Sequence, residues 1–520
     1  MREVMLKPID QTEQFLKVAG EFSLGDLPTE QSHPLTTDLS RLAQEDLHAA
    51  FKRLQEVDLA ALSHLCDKVE GIAELAQCIA DTFASGGRLF IAGCGATGRL
   101  ALTVEMLCRS GVLPPELRES VIGFMAGGDV ALIRSIEGFE DHPEYGARQL
   151  AELGFRDGDL LVGVTEGGET PFVIGAVQAS IPLSTREPWF CYCNPDDILR
   201  RVATRSRETL DDPRIRKLNL TVGPMALAGS TRMQATTVQL SAMLIAIRHR
   251  DCPGRIGEEL ERLTAAIKQL NYAEMAPLTE AESAIYRNGG HVLYSTREYG
   301  LTVLTDTTER APTFSLAAFE NVQDASLPKS LCYLMFSEAH NSADAWNAML
   351  GREPRTLEWQ GSSITGMDWL IGYDISSRAR AHREERWGSS AHLFSIDDER
   401  DGIRFVLDER AVAIRMPADA IHRNLCLKVL LNAHSTLMMG RLGRYEGNLM
   451  TWVKPSNNKL IDRAIRYVRE LHHRHCGRRP DYAVVARALF EAQATLQPTE
   501  PIVLKTLERI QREESHHGSC

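Results

Sequence analysis

The sequence predicts an α/β protein with two doubly wound parallel-sheet domains and a helical cap after them. Three observations lead there. Short apolar runs alternate with helical periodicity from residue 87 to 249. The alternation restarts near residue 291, and from Asn457 onward only helical periodicity remains. Strands separated by helices at this spacing indicate a parallel sheet covered on both faces.

Taken in order, residues 39–84 carry apolar positions at helical spacing and predict two or more helices. GGRLFIAG then reads as a turn and a short buried strand, and LALTVEMLCR as a helix. VIGFMAGG is a second strand, and DVALIRSIEGFED opens a helix with Asp129 as its cap. DGDLLVGVT is a third strand, ending at EGGETPF before the helix VIGAVQAS. PWFCYCN (188–194) and LNLTVGP (218–224) are the fourth and fifth, and ALAGSTRM precedes a long helix to about residue 249. A helical connector follows at 251–270. HVLYST (291–296) is a strand, GLTVLTDTTE a helix, and SLCYLMF to FVLDERAVAIRMP supplies further strands. AIHRNLCLKVLLNAHSTLMMGRLGRY is a long helix. The second half thus reads as a weakly preserved second copy. The expected division is an N-terminal arm (1–45), a first sheet domain (46–250), a connector (251–280), a second sheet domain (281–455) and the cap (456–520).

Composition narrows the function class. At 520 residues the chain is too long for one ordinary core. With 43% apolar and 25% charged residues it reads as globular. A formal charge of −12 and the lack of a basic stripe argue against nucleic acid. No run approaches the roughly 20 apolar residues of a membrane span, and the first residues lack the apolar core of a signal peptide. The 11 cysteines are scattered, and Cys191 and Cys193 form C-x-C rather than C-x-x-C. We expect reduced thiols and a cytoplasmic setting. The 16 histidines form no spaced ligand set; HHRHC (472–476) reads as a solvated helix end, and no metal is expected.

The chemistry concentrates in three loops. GCGATGR follows a strand and opens a helix, where unpaired N–H groups and glycine backbone make an anion site. It matches G-x-G-x-x-G only in part: Gly93 and Gly95 fit, while Gly98 comes one residue late. GVTEGGETPF (163–172) repeats the arrangement with Thr165, Glu166, Gly167, Gly168, Glu169 and Thr170. ALAGSTRM (226–233) adds Ser230, Thr231 and Arg232 at a third helix start. Loops after strand C-termini share one edge of a parallel sheet, where ligands bind. Hydroxyl-rich loops suit a phosphate, and Glu166 with Glu169 argues against a polyphosphate, so one phosphate on a sugar fits. Arg99 reads as a surface or interdomain salt bridge, with contact to a ligand as the alternative, and Lys428, within apolar LCLKVLLNAH, as a ligand or carboxylate contact. His434, on the same helix, reads as a core histidine.

In this order, GGRLFIAGCGATGRL, AGGDVALIRSIEGFED, GVTEGGETPFVIGA and VGPMALAGSTRM resemble the sugar isomerase (SIS) domain family, of the N-acetylmuramic acid 6-phosphate etherase and glucokinase regulatory protein type. TEQ at 29–31, KVLLNAHSTLMMGRLGRYEGNLM (428–450) and SNNKLIDRAIRYV extend the likeness over roughly residues 29–475. The resemblance implies flavodoxin-like three-layer sandwiches in a pseudo-twofold arrangement. It also implies an internal pseudo-dimer, because the family's helix motifs are divided between the copies. The first copy keeps the glycine loop and GSTRM. The second keeps Lys428 and Asn432 but has STREYG in place of the glycine loop.

Etherase chemistry, as the resemblance implies it, uses two carboxyl groups. One removes the proton beside a masked aldehyde, an acid helps the lactyl oxygen leave, and water then adds. The family motifs place these groups at Glu137, in SIEGFED, and at Glu309, in LTDTTERAPTF; the first copy has Leu107 where the second has Glu309. Carried over by motif, the substrate-binding set is Gly95, Thr97, Gly98, Thr165, Gly167, Glu169, Ser230, Thr231, Arg232 and Lys428. No cofactor is implied. Ala96 stands where a hydroxyl is usual and Gly167 where the etherase has serine; a lost hydroxyl weakens a phosphate contact by about 1 kcal/mol. Two readings follow: a lyase acting on a phosphorylated amino-sugar ether, or a sensor of sugar phosphates such as fructose phosphate, regulating a sugar kinase.

Overall fold

A computed structural model describes residues 7–22, 24–136, 138–359, 363–388 and 391–516. Five short strands build the first sheet: β1 (Leu89–Gly93), β2 (Val121–Met125), β3 (Leu160–Val164), β4 (Trp189–Tyr192) and β5 (Arg216–Asn219). All pairings are parallel, in the order β2-β1-β3-β4-β5. β1 to β4 are buried throughout, as strands covered on both faces must be. Because β1 lies between β2 and β3, the loops that follow β1 and β3 open side by side at the sheet's C-terminal edge.

The second sheet runs β10-β9-β8-β6-β7, from β6 (Val292–Thr296), β7 (Cys332–Met335), β8 (His392–Glu399), β9 (Gly402–Leu407) and β10 (Arg410–Arg415). β6, β7 and β8 are parallel, but β8, β9 and β10 are antiparallel neighbours. This sheet is therefore mixed rather than wholly parallel. The cause is local. Two-residue turns at Arg400–Asp401 and Asp408–Glu409 join the strands directly, and parallel pairing needs a crossover of a dozen residues or more. Asp408 takes a φ of 53° to close its turn. Nor does DVALIRSIEGFED form the helix expected from Asp129. Asp129–Leu132 is a single 3₁₀ turn. The Asp129 carboxylate is drawn away to Arg352 Nη1 at 2.6 Å and to the Arg355 backbone N–H at 2.7 Å, both from the second half.

The halves meet through helices Ala96–Arg109 and Gln234–Arg248 of the first and Gly300–Phe314 and Ala420–Arg441 of the second. Residues 421–440 of the last helix are all buried. Polar residues at such a junction must be satisfied internally. Glu282 is fully buried and accepts from Arg310 at 3.0 Å, from Tyr286 and from Tyr294, and pairs with His434 at 2.6 Å. His434 is thus a core histidine. Arg310 also holds Asp306, whose other oxygen accepts from Ser435 at 2.7 Å and Arg232 at 3.1 Å.

The helices Asn458–Cys476, Tyr482–Gln493 and Ile502–His516 form the cap. Helix Pro8–Val18 joins them, with Phe15 against Tyr482 and Phe490. His472 is buried and bonded to the Arg478 carbonyl and Glu514, so its part of HHRHC is packed rather than solvated. The described cysteines are free thiols, and no described helix is long and apolar enough to cross a membrane. We expect Arg310→Met to lower unfolding free energy by about 3–5 kcal/mol, because it leaves Glu282 and Asp306 buried without their cation; denaturant unfolding monitored by circular dichroism measures the loss.

Candidate functional site

The β1 turn is built for close backbone approach. A Cβ on Gly93 would sit 2.3 Å from the Thr97 carbonyl carbon, so only glycine lets the strand close onto the helix. Gly95 caps helix Ala96–Arg109 with φ 56° and presents backbone, not side chain, to the space in front. The Thr97 hydroxyl accepts the Cys94 N–H at 3.0 Å and donates to the Cys94 carbonyl at 2.9 Å. In the β3 loop, the Thr165 and Thr170 hydroxyls bond at 2.9 Å, and Thr165 accepts the Gly168 N–H at 3.3 Å.

These two loops and the Gly229–Arg232 turn surround a cavity of about 250 Å³. The second half adds Glu309, Pro312 and Thr313 from its Gly300–Phe314 helix. The cap adds Lys459 and Arg463, and the N-terminal arm adds Glu30. Both halves and both ends of the chain therefore meet at one cavity.

Its donors are distinctive. Arg99 is 2% exposed and gives Nη2 to the carbonyls of Ala131 and Leu132 at 3.3 and 3.0 Å. Its Nε, the Nε of Arg232 and the hydroxyl of Ser230 are buried with no partner among the described residues. Buried donors are rarely left unpaired, and three around one cavity, beside a helix N-terminus, make a pole suited to an anion.

The opposite character comes from carboxylates. Burial pushes Glu309 above its ordinary range, against the pull of Arg99, Arg232 and Lys428. Burial pushes Glu166 up to about 7, against a hydrogen bond from Thr236 and with help from the charge of Glu309. Glu140 is raised by burial too. Glu169 and Glu30 behave differently: burial opposes ionisation, but cations win and hold each at about 2. Glu169 meets Lys459 at 2.6 Å and Arg205 at 2.7 Å. Glu30 meets Arg463 at 2.6 Å and Arg466 at 3.0 Å.

Of the residues expected from sequence, Gly95, Gly167, Ser230, Thr231, Arg232 and Glu309 line this cavity. Thr97, Gly98, Thr165, Glu169 and Lys428 do not, and each departure has a cause. Thr97 and Thr165 staple their own loops. Gly98 packs where a Cβ would lie 2.4 Å from that of Met125. Glu169 is taken by its cations. Lys428 Nζ donates to the carbonyls of Arg232 and Met233 at 3.0 and 3.4 Å, to Thr237 at 2.7 Å and to Asn432 at 2.9 Å. Burial lowers it to about 8, although Glu309 and Asp58 favour its charge. It shares with Glu309 and Ala96 only a second, narrow cavity of about 20 Å³. Glu137 lies outside the described residues; Ser135 and Glu140 on either side of it line the larger cavity.

Sequence reasoning missed Glu30, Glu140, Lys459 and Arg463, and favoured a salt bridge over ligand contact for Arg99. The signal available was position: TEQ, the end of SIEGFED and SNNK all fall within the recognised motifs. A possible metal group, Glu259, Asp419 and His422, has ligand atoms within 4.8 Å of one another. Arg248 and Arg262 already pair its carboxylates, so its chemistry suits an ion-pair network.

Comparison with known proteins adds the lineage. The model for the glucokinase regulatory protein N-terminal SIS domain matches residues 71–181. N-acetylmuramic acid 6-phosphate etherase of Rhodopirellula baltica is 35% identical over 217 residues, 41% of this chain and 65% of the relative. The etherase of Synechocystis sp. is 36% identical over 221 residues, 42% of this chain and 67% of the relative; that of Enterobacter sp. is 32% identical over 220 residues, again 67% of its length. The match thus spans about two thirds of these relatives. Among solved structures, tagatose-6-phosphate ketose/aldose isomerase from Escherichia coli superposes over 79% of this chain and 98% of its own, at 10% identity and a TM-score of 0.41. By its sequence, the chain belongs to the N-acetylmuramic acid 6-phosphate etherase family of SIS-domain proteins.

Proposed function

We propose that this chain is a phosphosugar lyase that cleaves the lactyl ether of N-acetylmuramic acid 6-phosphate or a related phosphorylated amino sugar. The observation that carries this reading is the pairing, in one cavity, of three unpartnered buried donors with carboxylates raised by burial. The names of its relatives support the same reaction class.

Ser230, Thr231, the Nε atoms of Arg99 and Arg232, and the backbone at Gly95 and Ala96 take the phosphate. That anchor orients the open-chain sugar toward Glu309. Glu309 and Glu137 divide the proton work. One carboxylate takes the proton from C2, the C2–H electron pair becomes the C2–C3 double bond, and the C3–O bond breaks. The other, protonated, gives its proton to the departing lactyl oxygen. Water then adds: it gives a proton to the carboxylate that served as acid, its oxygen bonds to C3, and the carboxyl that served as base returns its proton to C2. A carboxyl group raised by burial serves such transfers near neutral pH better than an ordinary glutamate. Lys428 acts at one remove: it fixes the backbone of Arg232 and Met233, and so positions Ser230 and Thr231. The sensing alternative, with a kinase as partner, keeps the phosphate pole but releases no lactate.

Lactate release from N-acetylmuramic acid 6-phosphate, followed by coupled assay, tests the proposal; wild-type protein that binds the sugar phosphate without releasing lactate refutes it. Glu309→Gln should slow release by at least about a hundredfold while sugar-phosphate binding stays nearly unchanged. Ser230→Ala should leave kcat nearly unchanged and weaken binding by about 1 kcal/mol, roughly fivefold, as read by calorimetry. A carboxylate must be ionised to accept the C2 proton, so activity falls as pH drops through its pKa. With Glu309 as that base, raised by burial, the acid limb of the kcat/KM profile should lie above the 4.5 of an ordinary glutamate.

A further inference from the structure

Two helices of the second half run a polar seam through the middle of the molecule. On Gly300–Phe314, Thr302, Thr305 and Glu309 follow one another at intervals of three and four residues. On Ala420–Arg441, Asn424, Lys428 and Asn432 follow at intervals of four. Each set therefore shares one helix face. All six line the narrow cavity of about 20 Å³. Glu309 also lines the cavity at the phosphate-binding turns, and Asn424 also lines a cavity of about 490 Å³ beyond the other end of the seam. The seam thus joins the two. Val112 and Arg297, both exposed, belong to the wall of the larger cavity, so bulk water reaches it.

Most polar groups of the seam are satisfied within it. Thr302 donates to Asn424 Oδ1 at 3.0 Å. Lys428 Nζ donates to Asn432 Oδ1 at 2.9 Å, and Asn432 Nδ2 to Asp306 at 3.2 Å. Three groups are not. The Thr305 hydroxyl is buried without a partner among the described residues, whereas Thr307 and Thr308 of the same helix donate to helix carbonyls. Glu309 is 5% exposed; the charges of Arg99, Arg232 and Lys428 act on it, but no hydrogen bond or contact ion pair from the described residues reaches its carboxylate. Asn424 is 3% exposed and is bonded through Oδ1 alone among the described residues. Polar groups left without protein partners around a small polar cavity mark a water site, and about 10–15 Å³ is room enough for one water.

We propose that Thr305, Glu309 and Asn424 hold one buried water that links Glu309 to bulk water through the larger cavity, so that this carboxyl group exchanges protons by a route the bound sugar does not block. The inference rests on the phosphosugar-lyase reading, with Glu309 as the base at C2. Glu309, protonated from C2, gives that proton to the buried water, and the buried water passes one of its own protons to water in the larger cavity. A solvent proton returns along the same path, which restores the charge at every step. Thr305 and Asn424 lie outside the wall of the sugar's cavity and are positioning residues.

The test compares the full-length wild type with Thr305→Val, which keeps the shape of the side chain and removes the hydroxyl. High-resolution crystal structures should show one water within about 2.7–3.2 Å of Thr305 Oγ1 and of the Glu309 carboxylate in wild type, and none there in the variant. A single turnover of N-acetylmuramic acid 6-phosphate in deuterium oxide, with the label at C2 of the released sugar read by NMR, follows the route. Wild type should place mostly deuterium at C2, while Thr305→Val should keep the substrate's own hydrogen in about half of the product or more. Thr305→Ser should restore the wild-type pattern. No water in wild type, an unlabelled wild-type product, or equal labelling in Thr305→Val overturns the inference and leaves the lyase reading standing. A wild type that releases no lactate overturns the lyase reading and the route with it, and the crystals then decide the water on their own. Should Thr305→Val not fold, the wild-type water and label decide.

Discussion

The site depends on one buried contact between the halves. The ammonium of Lys428, on the second half's long central helix, donates to the carbonyls of Arg232 and Met233 and to the hydroxyl of Thr237 in the first half. Arg232, leaving the same turn, reaches back to Asp306, Ser435 and Thr436 of the second half. Each half thus supplies a cation to the other, and the Ser230–Arg232 turn is held from both sides. Removing either partner would leave charge buried without compensation, which costs far more than the pair contributes in net stability. The contact therefore fixes geometry rather than adding much stability. It also sets Glu309, on the helix that carries Asp306, opposite the first half's turns.

The charges around the cavity divide into two populations. Glu30 and Glu169 are clamped by arginine and lysine, lie at about 2 and stay ionised at any working pH. They tie the N-terminal arm and the β3 loop to the cap. Glu166 and Glu309 are buried as deeply but lack such clamps, and burial moves them upward. Depth is common to all four, so the difference lies in where the arginines point. Carboxyl groups raised in this way hold a proton more readily than an ordinary glutamate, which suits them to proton transfer, while their clamped neighbours hold shape.

The first sheet was legible because its signals are local. LFIAG, VIGFM and LLVGV are short apolar runs ended by glycine or a polar turn, and each became a strand. The β9 and β10 pair was harder, since RAVAIR alternates over an edge with one wet face and carries no mark of parallel or antiparallel pairing. Asp129 misled for another reason. A capping aspartate and one claimed by a distant arginine look alike in sequence, and Arg352 lies more than two hundred residues away. The site shows the same divide. Glycines and serines of the loops could be read from spacing, but no spacing says that Thr97 turns inward to Cys94 or that Glu30 arrives beside Arg463. Roles set by long-range partners escape a reading made along the chain.

The two halves differ at the place where this cavity forms. The turn after β6 reads STREYG where the turn after β1 reads GCGATG. It borders a larger cavity of about 490 Å³, lined by Arg297, Glu298 and Tyr299 on one side and Met106 and Leu107 on the other. Side chains occupy the place where glycine backbone would meet an anion, Tyr299 is bonded to Asp398, and Leu107 stands where the other half has Glu309. Backbone access and a carboxylate are both lost there. The two differences are complementary: the second half, without a glycine turn after β6, contributes Glu309 to the wall of the cavity at the first half's turns, and the first half has Leu107 at the matching place. The same division makes neither half sufficient alone, since the anion pole and the carboxylate at Glu309 lie on different halves and meet only across the Lys428 and Arg232 contact.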